Sequence, residues 1–406
     1  MATPTELTAS VLDRQQVTRW RNAVLVIFGL SGLGIATWLS RNPTIRDLLH
    51  ASTGELGLIV FGLSIGSLTG ITLSSHVLAW LGARRTIVLT LVTNAVGLVV
   101  AGVGASTLNS PAVVVVGLVA FGVGAGACDV SMNVEGAANE RALGRHVMPL
   151  FHAAFSMGTV LGAAVGALAE WLDVPVLLHV SVIAVLIVVG AFLAVRHLPA
   201  HADTEPDAGE PKSTWRDRLR SWTERRTLLI GLIVLGMAFA EGSANDWLAL
   251  AMVDGHHVSN ATGSVVFGVF VAAMTVGRVL GVRLLDRFGR VLVLRITAVM
   301  ALVGLLVVIF VVPPVIAIVG VVVWGLGASL GFPVGMSAAA DEPKAAAGRV
   351  SAVATIGYMA FLVGPPAIGW LGESAGLLRA LLLVCALILV AGLATGAARP
   401  PKGVAA

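Results

Sequence analysis

Apolar runs of about 18 residues or more recur along this whole chain, each long enough to cross a bilayer. Hydrocarbon offers no partner to a backbone N–H or C=O, so such a run must close its hydrogen bonds within itself as helix. Composition agrees: of 406 residues 57% are hydrophobic and only 12% charged, and mean hydropathy is +0.93. Hydropathy and turn signals place roughly twelve spans, near residues 21–40, 55–80, 86–105, 112–136, 149–169, 175–195, 227–248, 260–284, 290–311, 314–339, 350–371 and 377–396.

The chain is also doubled. Gly57-Leu58-Ile59-Val60-Phe61-Gly62 opens an apolar stretch that ends in Leu81-Gly82-Ala83-Arg84-Arg85. Gly263-Ser264-Val265-Val266-Phe267-Gly268, 206 residues on (263 − 57), opens another that ends in Arg287-Phe288-Gly289-Arg290. Ala142-Leu143-Gly144-Arg145 likewise recurs as Ala346-Ala347-Gly348-Arg349. Six spans fall in each copy, and an even number returns the chain to its starting side, so both copies enter the membrane in the same sense. The expected organisation is an all-α membrane protein: a terminal segment 1–20, a six-helix bundle 21–198, a linker 199–226, a second bundle 227–396 and a tail 397–406.

Lys and Arg resist translocation, and 22 of the 26 sit on the side that holds both termini, which is therefore expected to be cytoplasmic. The net charge of +4 is thus spent on topology and lipid headgroups, not nucleic acid. Arg outnumbers Lys 23 to 3 in an Ala/Gly/Val-rich chain, a bias expected of a GC-rich bacterium and its inner membrane. The first twenty residues are polar and show no signal-peptide core, which leaves helix 1 as its own insertion signal. Cys128 and Cys385 both fall inside predicted helices, so no disulfide framework is implied. No P-loop and no metal-spaced Cys/His cluster appears, so we expect no enzyme, cofactor or metal, and a process driven by an ion gradient. In the linker, an acidic patch from Asp203 to Glu210 precedes a basic run, of which Trp215 to Arg226 reads either as an amphipathic surface helix or as a tether. Glycines four apart, Gly62, Gly66 and Gly70 in helix 2 and Gly158, Gly162 and Gly166 in helix 5, serve either static packing or the sliding of one half on the other.

The loop Gly281-Val282-Arg283-Leu284-Leu285-Asp286-Arg287-Phe288-Gly289-Arg290 resembles the loop signature of the major facilitator superfamily, commonly written G-x-L-a-D-R-x-G-R-R. Its Gly stands one place early, but the D-R-F-G-R core is intact and follows the eighth helix. Asp129-Val130-Ser131-Met132-Asn133 in helix 4 is similar to the acid-x-x-x-Asn pattern of the fucose-permease-like branch, and Gly331-Phe332-Pro333-Val334-Gly335-Met336 in helix 10 to its F-P motif. Glu241-Gly242-Ser243-Ala244-Asn245-Asp246-Trp247 together with Asn133-Val134-Glu135-Gly136-Ala137-Ala138 resembles the bacterial YbjJ-like group. The resemblance implies a secondary transporter working by alternating access, with cargo between helices 1, 4, 7 and 10. Asp286, Arg287, Gly289 and Arg290 are its candidate cytoplasmic gate: the N-terminus of helix 5 presents unpaired N–H groups that Asp286 would cap. Alternatively Asp286 only balances Arg287 and Arg290. The first copy has Ala79 and Trp80 at this point, so such a latch would be one-sided.

Ionisable groups at bilayer depth are costly, so each is a functional candidate. Asp129 and Asn133, four apart, share a helix face and place a titratable acid beside an amide. Asp129 either carries a proton as the site alternates its exposure, or is a structural acid paired with Ser131 or an Arg. Glu241 is the second proton-coupling candidate, with Asn245 on its face. Trp38 and Trp247 occupy equivalent outer positions in helices 1 and 7; either is a belt residue, Trp247 the more so, or a plate for a sugar-like ring. Arg278, a base well inside the eighth predicted span, needs Asp129, Glu241 or an anionic cargo as partner. His152 is expected near the surface. The substrate-binding candidates are thus Trp38, Asn133, Asn245 and Arg278, in a monomer whose partners are a small polar solute, protons and lipid. Proton-coupled uptake leads; antiport efflux of drugs or metabolites, or a sensor that binds without transport, are the other readings.

Overall fold

A computed structural model describes residues 13–144, 147–199, 222–341 and 346–400. Its helices are α1 (Arg14–Leu39), α2 (Asn42–Leu49), α3 (Thr53–Ser106), α4 (Pro111–Leu143), α5 (Met148–Trp171), α6 (Val176–Val195), α7 (Arg225–His256), α8 (Asn260–Phe288) and α9 (Arg290–Phe310). They continue as α10 (Pro314–Ala328), α11 (Gly331–Ala339), α12 (Ala346–Ala375), α13 (Leu377–Ala380) and α14 (Leu382–Ala394). The expected surface helix of the linker falls mostly outside the described residues, and by Arg225 the chain is already in α7.

Among the described residues, eleven helical stretches are long and apolar enough to cross a membrane. One of them, α3, has 54 residues. At the α-helical rise that is roughly 81 Å, against a hydrocarbon core of about 30 Å. Gly82 breaks it with φ 72° and ψ 162°, so α3 is two spans turned back at one residue and the described residues make twelve crossings. Gly289 repeats the turn between α8 and α9 with φ 75° and ψ 161°. A side chain strongly disfavours these torsions, which is why glycine stands at both places. The span Pro314–Ala339 is broken between α10 and α11, just before Pro333, whose missing N–H cannot extend the preceding turn.

Lipid supplies no hydrophobic force between helices, so close backbone contact must hold each bundle together. A Cβ on Gly97 would strike the backbone of Phe121 and Gly117, one on Gly117 would strike Ala101, and one on Gly124 would strike Asn94 and Thr90; these contacts seat α4 on α3. Gly304, Gly320 and Gly327 seat α10 on α9 in the same way, against Trp324, Gly304 and Ala301 in turn. The duplication read in sequence is thus repeated in packing.

The two glycine stripes do not lie between the halves. Gly62, Gly66 and Gly70 face Val115, Val119 and Val123 of α4, while Gly158 and Gly162 face Gly29 and Leu33 of α1. Both contacts are internal to the first bundle, which corrects the sliding alternative in favour of packing. The halves meet instead through α3 against α12 and α5 against α8. Gly57 lies on Pro365 and Gly369 at the first of these contacts, and Gly268 faces Ala163 at the second. α1 and α7 begin at one face, called near below; the opposite face is far.

Gly82→Ala is expected to destabilise by about 1–3 kcal/mol through backbone strain alone, since no atom lies within 4 Å of the added Cβ. Gly97→Leu, aimed at backbone, should cost at least as much and depress folded yield. Thermal unfolding in detergent checks both, and an unchanged Gly82→Ala would show that this turn relaxes without glycine.

Candidate functional site

The centre of the molecule holds an ion pair. Arg278 of α8 donates from Nη2 to Oε1 of Glu241 on α7 at 3.0 Å. Glu241 is 16 residues (241 − 225) past the start of α7. That is about 24 Å from the near face, so the pair sits near mid-bilayer. Of the partners the sequence left open for Arg278, the structure brings it Glu241.

On α4, Asn133 donates from Nδ2 to the Asp129 backbone oxygen (2.8 Å) and to its Oδ1 (3.3 Å), so the two share a face as their spacing requires. Ser131 bonds the Ala127 carbonyl at 2.7 Å and leaves Asp129 alone. Among the described residues Asp129 makes no ion pair with an arginine either, so neither structural partner considered for it is in place. Its side chain is open to the cleft, and Tyr358 of α12, the chain's single tyrosine, lies within its electrostatic reach. The Tyr358 ring is 6.2 Å from that of Phe332.

His152 was expected at the surface. It is exposed, and it stands edge-on to Phe28 at 5.4 Å, within electrostatic reach of Arg278. The cleft is therefore lined from both halves, by α4, α5, α7, α8 and α12. Trp38 is wholly buried with its indole N–H unbonded, and so stands off the cleft in this state. Trp247 is equally buried, its ring against Gly369, which corrects the belt reading. Asn245 is half-buried on α7.

The far face is shut. Arg46 of α2 bonds Asp254 of α7 at 2.5 Å, and Asn260 of α8 donates to Asp47 at 2.9 Å. Asn42 donates to the Asp246 carbonyl at 3.3 Å and Ser264 to the Ser40 carbonyl at 2.5 Å. Glu373 of α12 accepts from the Gly54 amide (3.1 Å) and Ser52 hydroxyl (3.3 Å), capping α3 from the other half. Deeper in, the Ser64 hydroxyl donates to the Phe361 carbonyl at 2.6 Å. The bonds described between the halves all lie between midplane and far face, and the cleft opens toward the near face.

Burial works against the charge on Arg46, but Asp254 and Asp47 outweigh it and raise its pKa, so the clasp stays ionic. α2 itself is fastened to the first bundle by buried Arg41, which donates to the Val174 carbonyl at 2.7 Å and lies 3.1 Å from Glu170; Thr44 also bonds Glu170.

At the near face the expected latch is not formed. The N-terminus of α5 is capped by Glu140 of α4, whose Oε2 accepts from Val147 N (2.6 Å) and Met148 N (2.8 Å). Glu140 needs to span only a short connection, which makes it the closer cap. Asp286 and Arg287 are exposed, and Gly289 makes the turn. Arg290 is held by Asp341 (2.5 Å) and Ser337 (3.1 Å) within its own half, so Asp286 does not balance it. Asp341 also binds Arg226 at 2.7 Å.

Sequence reasoning passed over the buried Glu135, which accepts from the Trp20 indole N–H at 2.8 Å, the Arg41–Glu170 pair, and Asp246 on α7. Glu135 and Asp246 lay within quoted motifs, and applying the cost of embedded acids to every carboxylate in a span would have found them.

A doubled twelve-span bundle with charged groups facing one central cleft defines a membrane transporter, and residues 23–360, and again 247–405, match the Major Facilitator Superfamily. The chain belongs to that family. It is 30% identical over 363 residues to an uncharacterized MFS-type transporter of Yersinia pestis, covering 89% of this chain and 91% of the relative. It is 30% identical over 397 residues to an uncharacterized transporter of Sinorhizobium fredii (93% and 99% covered), and 26% identical over 377 residues to the membrane protein MosC of Rhizobium meliloti (92% and 88%). Its fold is similar to a mutant of the nucleoside transporter NupG (TM-score 0.76, 14% identity, 94% and 99% covered) and to the E. coli fucose:proton symporter FucP (TM-score 0.64, 16% identity, 96% and 100% covered).

Replacing Arg46 and Glu373 together by Ala should loosen the far clasp. A cysteine placed at Asn245 should then react several-fold faster with a membrane-impermeant maleimide added at the far face; an unchanged rate would show that these bonds do not hold the face shut.

Proposed function

We propose that this protein is a proton-coupled transporter of a small polar, sugar-like solute across the bacterial inner membrane, with the near face cytoplasmic. The orientation follows the positive charge gathered there. The observation that carries the coupling is Asp129: a carboxyl group at bilayer depth, open to the cleft and bonded only to the Asn133 amide among the described residues. An acid so placed takes a proton when the cleft faces the acidic side and yields it on the other. The Asn133 and Asn245 amides and the Tyr358 hydroxyl are the hydrogen-bonding groups that a polyol engages. The two halves rock about this site, breaking the far clasp and closing the near end, where Asp286 is free to meet a partner in the other state.

Purified protein in vesicles with an imposed pH gradient, exposed to a mixed pool of bacterial metabolites, should concentrate a cargo up to about tenfold for each pH unit retained across one coupled proton. The side on which it accumulates gives the direction. Asp129→Asn should abolish that pH-driven accumulation while leaving exchange of labelled for unlabelled cargo intact. Equal accumulation by both proteins would remove Asp129 from the coupling, and no accumulation of any solute would defeat transport itself.

A further inference from the structure

We infer that the cargo is an acid: a hydroxylated carboxylate or phosphate whose charge docks on Arg278 when Glu241 takes up a proton. This rests on the proton-coupled reading above. A guanidinium stays charged at any physiological pH, and at this depth a charge is stable only beside its opposite. Among the described residues Glu241 is the one group that Arg278 bonds, through a single 3.0 Å contact. The Arg278 side chain is 33% exposed, so the rest of its planar donor set remains open to the cleft.

When a proton adds to the Glu241 carboxylate, the ion pair becomes a neutral acid beside an unmatched cation. An anionic cargo restores the balance, with two parallel N–H···O bonds that suit carboxylate and phosphate alike. A neutral polyol restores nothing. Proton and anion therefore promote each other's binding at this site, a linkage separate from the translocated proton assigned to Asp129.

The surrounding groups set the context. His152 of α5 adds positive charge when protonated, Tyr358 comes from α12, and Asp129 of α4 opposes an anion until it is neutralised. Asp246 shares α7 with Glu241; Arg283, Asp286 and Arg287 lie nearer the end of α8; Arg46, Asp47, Glu373 and Arg379 lie at the far face. The packed segments α10 and α11 carry no charged residue, and α14 contributes only Cys385.

The test uses purified full-length protein with gluconate and glucose phosphate as anionic probes and glucose as the neutral control. Wild type should bind one of the acids about tenfold more tightly at acidic than at alkaline pH. Glu241→Gln should bind it tightly at both, and the double variant Glu241→Gln/Arg278→Gln, which leaves no unmatched charge to impair folding, should lose it. Which acid binds separates a carboxylate cargo from a phosphate one. The inference is overturned if Glu241→Gln binds neither acid better than the double variant does, or if glucose binds as well as the acids. A wild type that concentrates neutral solutes yet ignores acids loses the anion site and keeps the transport reading. Acid binding by Glu241→Gln without any wild-type flux does the reverse.

Discussion

Backbone contact at glycine is the interaction on which the rest of this molecule depends. Inside lipid, apolar side chains gain nothing by leaving their surroundings for one another, so a helix bundle is held by how closely its backbones approach. Gly97, Gly117 and Gly124 bring α3 and α4 together, and Gly304, Gly320 and Gly327 do the same for α9 and α10. Each half thereby becomes one stiff body. Only then can a handful of polar bonds at the far face decide how the bodies stand to one another.

Polar groups are distributed in keeping with that division of labour. The buried pairs at the ends of the first bundle, Arg41 with Glu170 and Trp20 with Glu135, tie helices of one body to each other. Arg46 with Asp254, Asp47 with Asn260 and Glu373 with the start of α3 cross between bodies and lie at the rim, where water can replace them when they part. The Glu241–Arg278 pair belongs to neither set, because it lies within the second body yet remains partly open to the cleft. A partly exposed pair is thus set apart from the dry ones, which cannot be parted without great cost.

Much of this was legible before any coordinates. Twelve crossings, the duplication and the shared face of Asp129 and Asn133 follow from periodicity, since lipid enforces helices and helices fix the angle between residues. The sharing of a cleft by His152, Tyr358 and Arg278 was not legible, because it depends on how tilted helices from separate halves meet. Trp38 and Trp247 failed for a related reason. Depth along a helix can be counted, but the direction of a side chain around it depends on neighbours, and here both rings are fully buried, that of Trp247 against Gly369 of α12. Asp286 failed differently: the loop signature names a carboxylate able to cap α5, but Glu140 stood nearer along the chain and already held those amides.

Gly82 and Gly289 each reverse the chain at a single residue, with no loop on either side. A connection without slack cannot absorb a tilt. The first leg of α3 lies along α12, and both legs pack on α4, the helix that bears Asp129, so the seam between the halves is joined to that helix directly as well as through the turn. The same economy joins α8, which bears Arg278, to α9. Each hairpin thus hangs its two legs on one glycine, and a few flexible residues added at either turn would free the legs from one another while leaving every helix in place.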